Sequence, residues 1–308
     1  MKKVSNCRSL HVFLVASPIV QIVASLVIKK LGLSEREVLC VVVRESDTSL
    51  IKAKKITYKM LSIDRILSRL FQFSYSDTVL RRRVEASCDN FYVYCAWFDR
   101  TVEQLVNSPK CSGHYYMEEG QLAYYKNKEF DADVEYRERA RRKAEGSNDY
   151  HYRSDALGYY GLNNHAFPSI SDKRKTILSD FSGLLEEYCL KLAGIQRIAV
   201  LPTPHRIDEV SIENLIDVYL ENIGPDGVIK LHPGFSAYPA LSKRVKEIIF
   251  SRGFLKESVC SNDVILELEM LHERKELFGV RSSLSTYAEI LGSDYHFLDL
   301  PGYTSPIN

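Results

Sequence analysis

Three short stretches of this 308-residue chain hold side chains able to move a proton or seat an anion. Lys230-Leu231-His232-Pro233-Gly234 follows the turn-rich Gly224-Pro225-Asp226-Gly227 and the apolar pair Val228-Ile229, which reads as a buried strand. Pro233 cannot donate to a ladder, so the strand stops there and presents Lys230 and His232 at its carboxyl edge, where open α/β sheets bind ligands. A histidine there can donate to an anionic leaving group or carry a proton near neutral pH; it can equally cap the strand and bind nothing. Glu118-Glu119-Gly120 sets two carboxylates before a glycine that permits a tight turn. Strand alternation sends the two to opposite sides, so one can face a site and, partly desolvated, act as a base; the alternative is a solvated surface pair. Arg281-Ser282-Ser283-Leu284-Ser285 follows a strand and opens a helix. Serine hydroxyls and free N–H groups at a helix N-terminus seat phosphate, or serve only as a cap.

The elements that must position these residues follow from apolar patterning. Val12 to Ala16 reads as a strand, Ser17-Pro18 as a turn opening a helix, Ile19 to Leu31 as that helix and Gly32 as its stop. Val38 to Val43 is a second buried strand, giving a β-α-β start. The apolar stretch Leu10–Ile28 after Lys2, Lys3 and Arg8 resembles a signal anchor, but Ser17-Pro18, Gln21 and Ser25 interrupt it, so no transmembrane segment is expected. Arg44 to Asp47 reads as a loop, 57–75 as helical, 91–98 as a third strand and 101–107 as a helix. Residues 131–144 form an exposed charged helix whose basic part, 137–143, is either a solvated face or a contact for an anionic membrane. Gly146 to Asn164 reads as a loop or lid.

The α/β pattern restarts after an interdomain region near 160–175. Helices are expected over 180–193, 211–222, 241–250 and 263–271, with strands at 198–201, 228–229 and 278–280. The expected fold class is α/β, two Rossmann-like domains facing a cleft, with domains 1–165 and 170–308. Formal net charge is +1 and no basic motif stands out, which argues against nucleic-acid binding. The seven cysteines include no CxxC pair, and neither HxH nor HExxH occurs, which argues against disulfides and a metal centre and for a reducing cytoplasm.

Taken in order, Glu118-Glu119-Gly120, His232-Pro233 and Ser282-Ser283 resemble the bacterial sialyltransferases that decorate lipooligosaccharide, O-antigen or capsule. The opening strand with Ser17-Pro18 and the stretch Leu266-Glu267-Leu268-Glu269-Met270-Leu271 add to the likeness. The resemblance implies a GT-B-like fold and an inverting, metal-independent transfer from CMP-sialic acid to a galactoside-type acceptor, with no cofactor. It implies a carboxylate of Glu118-Glu119 as base, first Glu118, with acceptor binding in the first domain. The second domain would hold the donor. There His232 would donate to the leaving phosphate, Ser282 and Ser283 would hold it, and Glu267 or Glu269, with a lean to Glu269, would bind the ribose. Alternation places Lys230 on the face of His232, where it adds charge near the phosphate or meets solvent, and Pro233 and Gly234 are expected with it among the donor-binding residues. A cytoplasmic protein that touches the inner membrane is the expected setting. The alternatives are a GT-B glycosyltransferase with another nucleotide sugar or nonulosonic acid, and a non-catalytic glycan-assembly protein.

Overall fold

A computed structural model of the chain describes residues 7–43, 48–59, 64, 74–124, 128–130, 151–208, 210–261, 263–301 and 303. Two compact units divide at 187/188: Met1–Glu187 and Tyr188–Asn308.

In the first unit β1 (Cys7–Val15) leads through α1 (Pro18–Leu31) to β2 (Val38–Val42) and β3 (Lys54–Thr57). Ser17 caps α1 by accepting from Val20 N–H, Pro18 opens it, and Gly32 ends it at φ 63°. Such a positive φ costs glycine nothing. Then come α2 (Tyr75–Glu85), β4 (Cys88–Cys95), α3 (Arg100–Val106), β5 (Cys111–Met117), β6 (Lys128–Phe130), β7 (His151–Arg153), β8 (Gly158–Gly161), β9 (Lys175–Ile177) and α4 (Ser182–Glu187). The main sheet is parallel, in the order β3-β2-β1-β4-β5-β8-β9, and β6 pairs with β7 alone. Parallel strands are buried on both faces, which is why β2 is apolar at every position. One face packs Leu10, Val12, Phe91, Val93 and Tyr116 against Leu80 and Val84 of α2 and Val102 and Leu105 of α3.

The second unit contains β10 (Arg197–Val200), α5 (Ile212–Ile223), β11 (Val228–Lys230), α6 (Pro239–Ser251), α7 (Leu266–His272), β12 (Glu276–Gly279), α8 (Ser283–Ile290) and β13 (Asp294–Phe297). Its parallel sheet runs β11-β10-β12-β13. The chain goes from β10 to one side and then returns to the other. The carboxyl ends of β10 and β12 are therefore the switch point where such sheets hold ligands.

Several expectations shift. The interdomain region near 160–175 lies inside the first unit, because β9 hydrogen-bonds to β8 and extends the first sheet. The loop expected over 146–164 supplies β7 and β8; Tyr152, Tyr159 and Tyr160 are strand residues, with Tyr152 and Tyr159 packed against Phe167. The helix expected over 180–193 stops at Glu187, since Tyr188 to Leu192 bond instead to Glu269. The 44–47 loop, most of the 57–75 helix and the basic helix 131–144 lie outside the described residues. Among those described, no helix is long and apolar enough to cross a membrane. Six cysteines there are unpaired, and no group of three or more metal-binding side chains occurs.

Candidate functional site

The second unit gathers most of the residues singled out. Val228 to Lys230 form the strand, and Leu231 and His232 carry the chain over its carboxyl end before Pro233 opens a short 3-10 turn, Pro233–Ala237. His232 Nδ1 accepts the Gly234 N–H at 3.0 Å. The ring proton therefore sits on Nε2, which remains a donor. Burial lowers the His232 pKa, and the nearby His205 lowers it further, so the ring is neutral at pH 7. Gly234 is required by closeness: a Cβ there would stand 3.0 Å from His232 Nδ1 and 3.3 Å from Pro204 Cδ. His205, on the loop after β10, carried no signal in the sequence; only strand order brings it beside His232.

At the end of β12, Arg281 and Ser282 lead into α8. Ser285 closes the first turn, its hydroxyl donating to the Ser282 carbonyl at 2.6 Å and accepting the Ser282 N–H at 3.4 Å. Ser282 Oγ is buried at the N-cap of α8, where it meets the Ser285 N–H in a capping box and lies beside the Tyr295 hydroxyl, with neither contact reaching good hydrogen-bond geometry. A buried hydroxyl so poorly engaged forfeits part of the about 1–3 kcal/mol that a well-formed bond would save. It stands beside the free N–H groups of a helix N-terminus, at the sheet's switch point, where a bound anion would satisfy it. Ser283 is the first residue of the helix and is half-buried.

The acidic stretch resolves by burial. Glu269 is fully buried; its Oε1 accepts from Tyr188 Oη and Lys191 N–H, each at 2.9 Å, and its Oε2 from Leu192 N–H at 3.1 Å. It pins the start of the unit, a structural duty beside the ribose-binding role expected of it. Glu267 is half-buried, and burial raises its pKa, with the Lys230 charge opposing. Lys230 Nζ donates to the Ser261 carbonyl at 2.7 Å, and burial lowers its pKa. It ties β11 to the loop before α7 and stands near Glu267.

In the first unit, Glu118 and Glu119 follow β5 at its carboxyl edge, and Gly120 adopts φ 64° to start a 3-10 turn. Glu118 is fully buried. Its Oε1 accepts from Tyr124 Oη at 2.5 Å and its Oε2 from Leu162 N–H at 2.6 Å; Asn163 in turn donates to Tyr124 Oη at 2.6 Å. This carboxylate joins three segments, and the adjacent Glu119 is half-buried. Asn163 carried no signal because its partner Tyr124 is 39 residues away; Tyr124 is only six residues from Glu118, but no pattern marks such a pair. His114 on β5 lies apart. It is 1% exposed beside the rings of Phe98 and Tyr116, with Nε2 unpartnered and 3.9 Å from Asp155 Oδ1. Asp155 is held by Arg153, whose Nε and Nη2 lie at 2.9 and 2.5 Å.

No family model matches the sequence, and no curated protein matches it. Solved structures match the fold. S. aureus MnaA, in a co-structure with UDP, superposes with a TM-score of 0.52 at 11% identity, covering 94% of this chain and 79% of that one. A Listeria monocytogenes protein assigned as a UDP-N-acetylglucosamine 2-epimerase gives 0.51 at 12% identity, covering 97% and 81%. The fold class is thus α/β with Rossmann-like parallel-sheet units of the GT-B kind, as expected. The expected partner CMP-sialic acid is corrected: the matched co-structure holds UDP, and the other protein's assignment is to a UDP-sugar.

Proposed function

We propose that the chain is an enzyme acting on a UDP-sugar, a GT-B-type glycosyltransferase that moves the sugar to a hydroxyl of a glycan acceptor. The observation that carries this is the buried, poorly satisfied Ser282 hydroxyl at the N-terminus of α8, on the switch point of the second sheet. That is a seat for a diphosphate, and UDP in the fold relative suggests which nucleotide bears it.

In this reading the second unit binds the donor. Ser282, Ser283 and the first N–H groups of α8 hold phosphate oxygens. His232, neutral and with its proton on Nε2, donates to the phosphate as it leaves. Glu267 accepts from the ribose hydroxyls. The acceptor hydroxyl attacks the anomeric carbon, the bond from that carbon to the UDP oxygen breaks, and the hydroxyl proton passes to a carboxylate. The first unit's candidate for that carboxylate is Glu119, with Glu118 bracing its turn. Charge developing on the diphosphate meets fixed donors, which lowers the barrier without a metal.

Isothermal titration with UDP, CMP and ADP tests the nucleotide; UDP binding no tighter than the others ends the reading. A second reading, epimerisation of the UDP-sugar, is favoured by the Listeria protein's assignment. UDP release that requires an acceptor supports transfer, and conversion of the UDP-sugar with no acceptor supports epimerisation.

A further inference from the structure

Helix α6 buries Leu241, Val245, Ile248 and Ile249. Another stripe of the same helix, from Pro239 through Ser242, Lys243 and Lys246 to Phe250, lines a cavity of about 450 Å3 together with His232 and the 3-10 turn that follows it. The cavity therefore lies within the second unit and is bordered by the side chain assigned above to the leaving group. Its size suits a monosaccharide or disaccharide, since small-ligand pockets run to about 300–1,000 Å3.

Its lining is of three kinds. Phe235 and Pro239 with Phe250, itself 39% exposed, give apolar surface of the sort that packs on the C–H face of a pyranose. Ser236 and Ser242 add hydroxyls. Lys243 and Lys246 add two ammonium groups against one carboxylate, Glu247, which lies 3.6 Å from Lys243. That pair is exposed, so it ties the lysine only weakly. Among the described residues Lys246 has no ion pair, and the further group acting on His232 is another histidine, His205. The cavity thus offers donors and positive charge with no surplus carboxylate to answer them. A neutral sugar would leave Lys246 unused, whereas an anion would take a charge-assisted bond from it.

We propose that this cavity is a subsite for a sugar bearing an anionic group, a carboxylate or a phosphate monoester, so that the substrate is an acidic saccharide. This rests on the reading of His232 as a reaction-centre residue, and it adds the chemical class of the sugar. Lys246 makes the ionic contact, Lys243 supports it once it turns from Glu247, and Phe250 carries the ring.

The test uses the full chain and three probes, D-glucuronate, D-glucose 6-phosphate and D-glucose, titrated by saturation-transfer NMR. UDP binding is measured in parallel by calorimetry. Wild type should bind one or both anions at least about tenfold tighter than D-glucose, as one charge-assisted bond allows. The preferred anion says whether the group is carboxylate or phosphate. Lys243→Gln combined with Lys246→Gln should abolish that preference, with D-glucose and UDP binding unchanged; Lys246→Glu should reverse it. Circular dichroism confirms that the variants fold. Wild type that does not prefer the anions, or anion binding that survives the double substitution, overturns the proposal. Wild type that fails to bind UDP removes the functional reading, and the sugar titrations still decide the subsite by themselves.

Discussion

Replacing each of the two adjacent glutamates by glutamine should separate structure from chemistry. In Glu118→Gln one carboxylate oxygen becomes an amide nitrogen that donates; placed toward Tyr124, whose hydroxyl can accept, it leaves the oxygen for the Leu162 N–H. Both bonds then lose their charge assistance, and the Tyr124 hydroxyl loses its acceptor. With such bonds contributing about 1.5–3 kcal/mol each, the expected loss is about 2–4 kcal/mol. For a unit the size of Met1–Glu187 this lowers the melting temperature by about 4–15 °C. The Glu119→Gln change alters a half-buried side chain and should move stability by less than about 0.5 kcal/mol. Turnover should behave the other way: Glu119→Gln should lower it by about 10²–10⁴-fold with UDP affinity intact, as expected for loss of a base. Thermal melts and UDP-release rates on the same preparations give both readouts. A Glu118→Gln variant that melts like wild type but has lost turnover would refute this division of roles.

Three further outcomes follow from the geometry. Ser282→Ala removes a capping-box hydroxyl whose contacts in the free protein are poorly aligned, so the melting temperature should fall little while UDP affinity falls by about tenfold. A parallel loss of stability would show that the hydroxyl already has a structural bond. His114 is buried and its pKa is pulled down to about 4, chiefly by desolvation, with the Asp155 charge opposing. The folded state therefore resists a proton that the unfolded state accepts below about 6.5. Stability of the first unit should be unaffected above that pH, fall on the order of 3 kcal/mol as pH drops to about 4, and then level off. His114→Phe should flatten that slope, and an NMR titration placing His114 near 6.5 would contradict it. Turnover should survive EDTA, since His232, the helix N-terminus and serines serve the phosphate; loss of activity restored by magnesium would put a metal in the seat.

Much of the fold was legible because parallel-sheet proteins write their buried strands as unbroken apolar runs. Val38 to Val42 and Val12 to Val15 are fully buried strands, and Ser17-Pro18 with Gly32 bracket α1 as their cap chemistry requires. The pattern fails where a strand is short and tyrosine-rich. Tyr152, Tyr159 and Tyr160 look like a polar loop in sequence. In the structure they are buried against other aromatic rings and strand pairing. That is tertiary packing overriding composition. It also explains the displaced unit boundary, because the strand at 175–177 is too brief to announce itself.

For the candidate site, sequence identified positions and could not assign duties within them. Each of the two glutamate pairs contains one fully buried carboxylate whose partners are remote: Leu162 for Glu118, Tyr188 and Leu192 for Glu269. The other member, Glu119 or Glu267, is half-buried. Spacing of one in a strand edge or two in a helix turn guarantees that the members point differently, but not which points inward. Burial decides, and burial depends on contacts made 40 to 80 residues away. A carboxylate with both oxygens held by protein donors has a structural duty to perform whatever else it does. A motif that contains two candidate acids therefore locates an element's edge, and only the packing around it tells which of the two the fold uses as a brace.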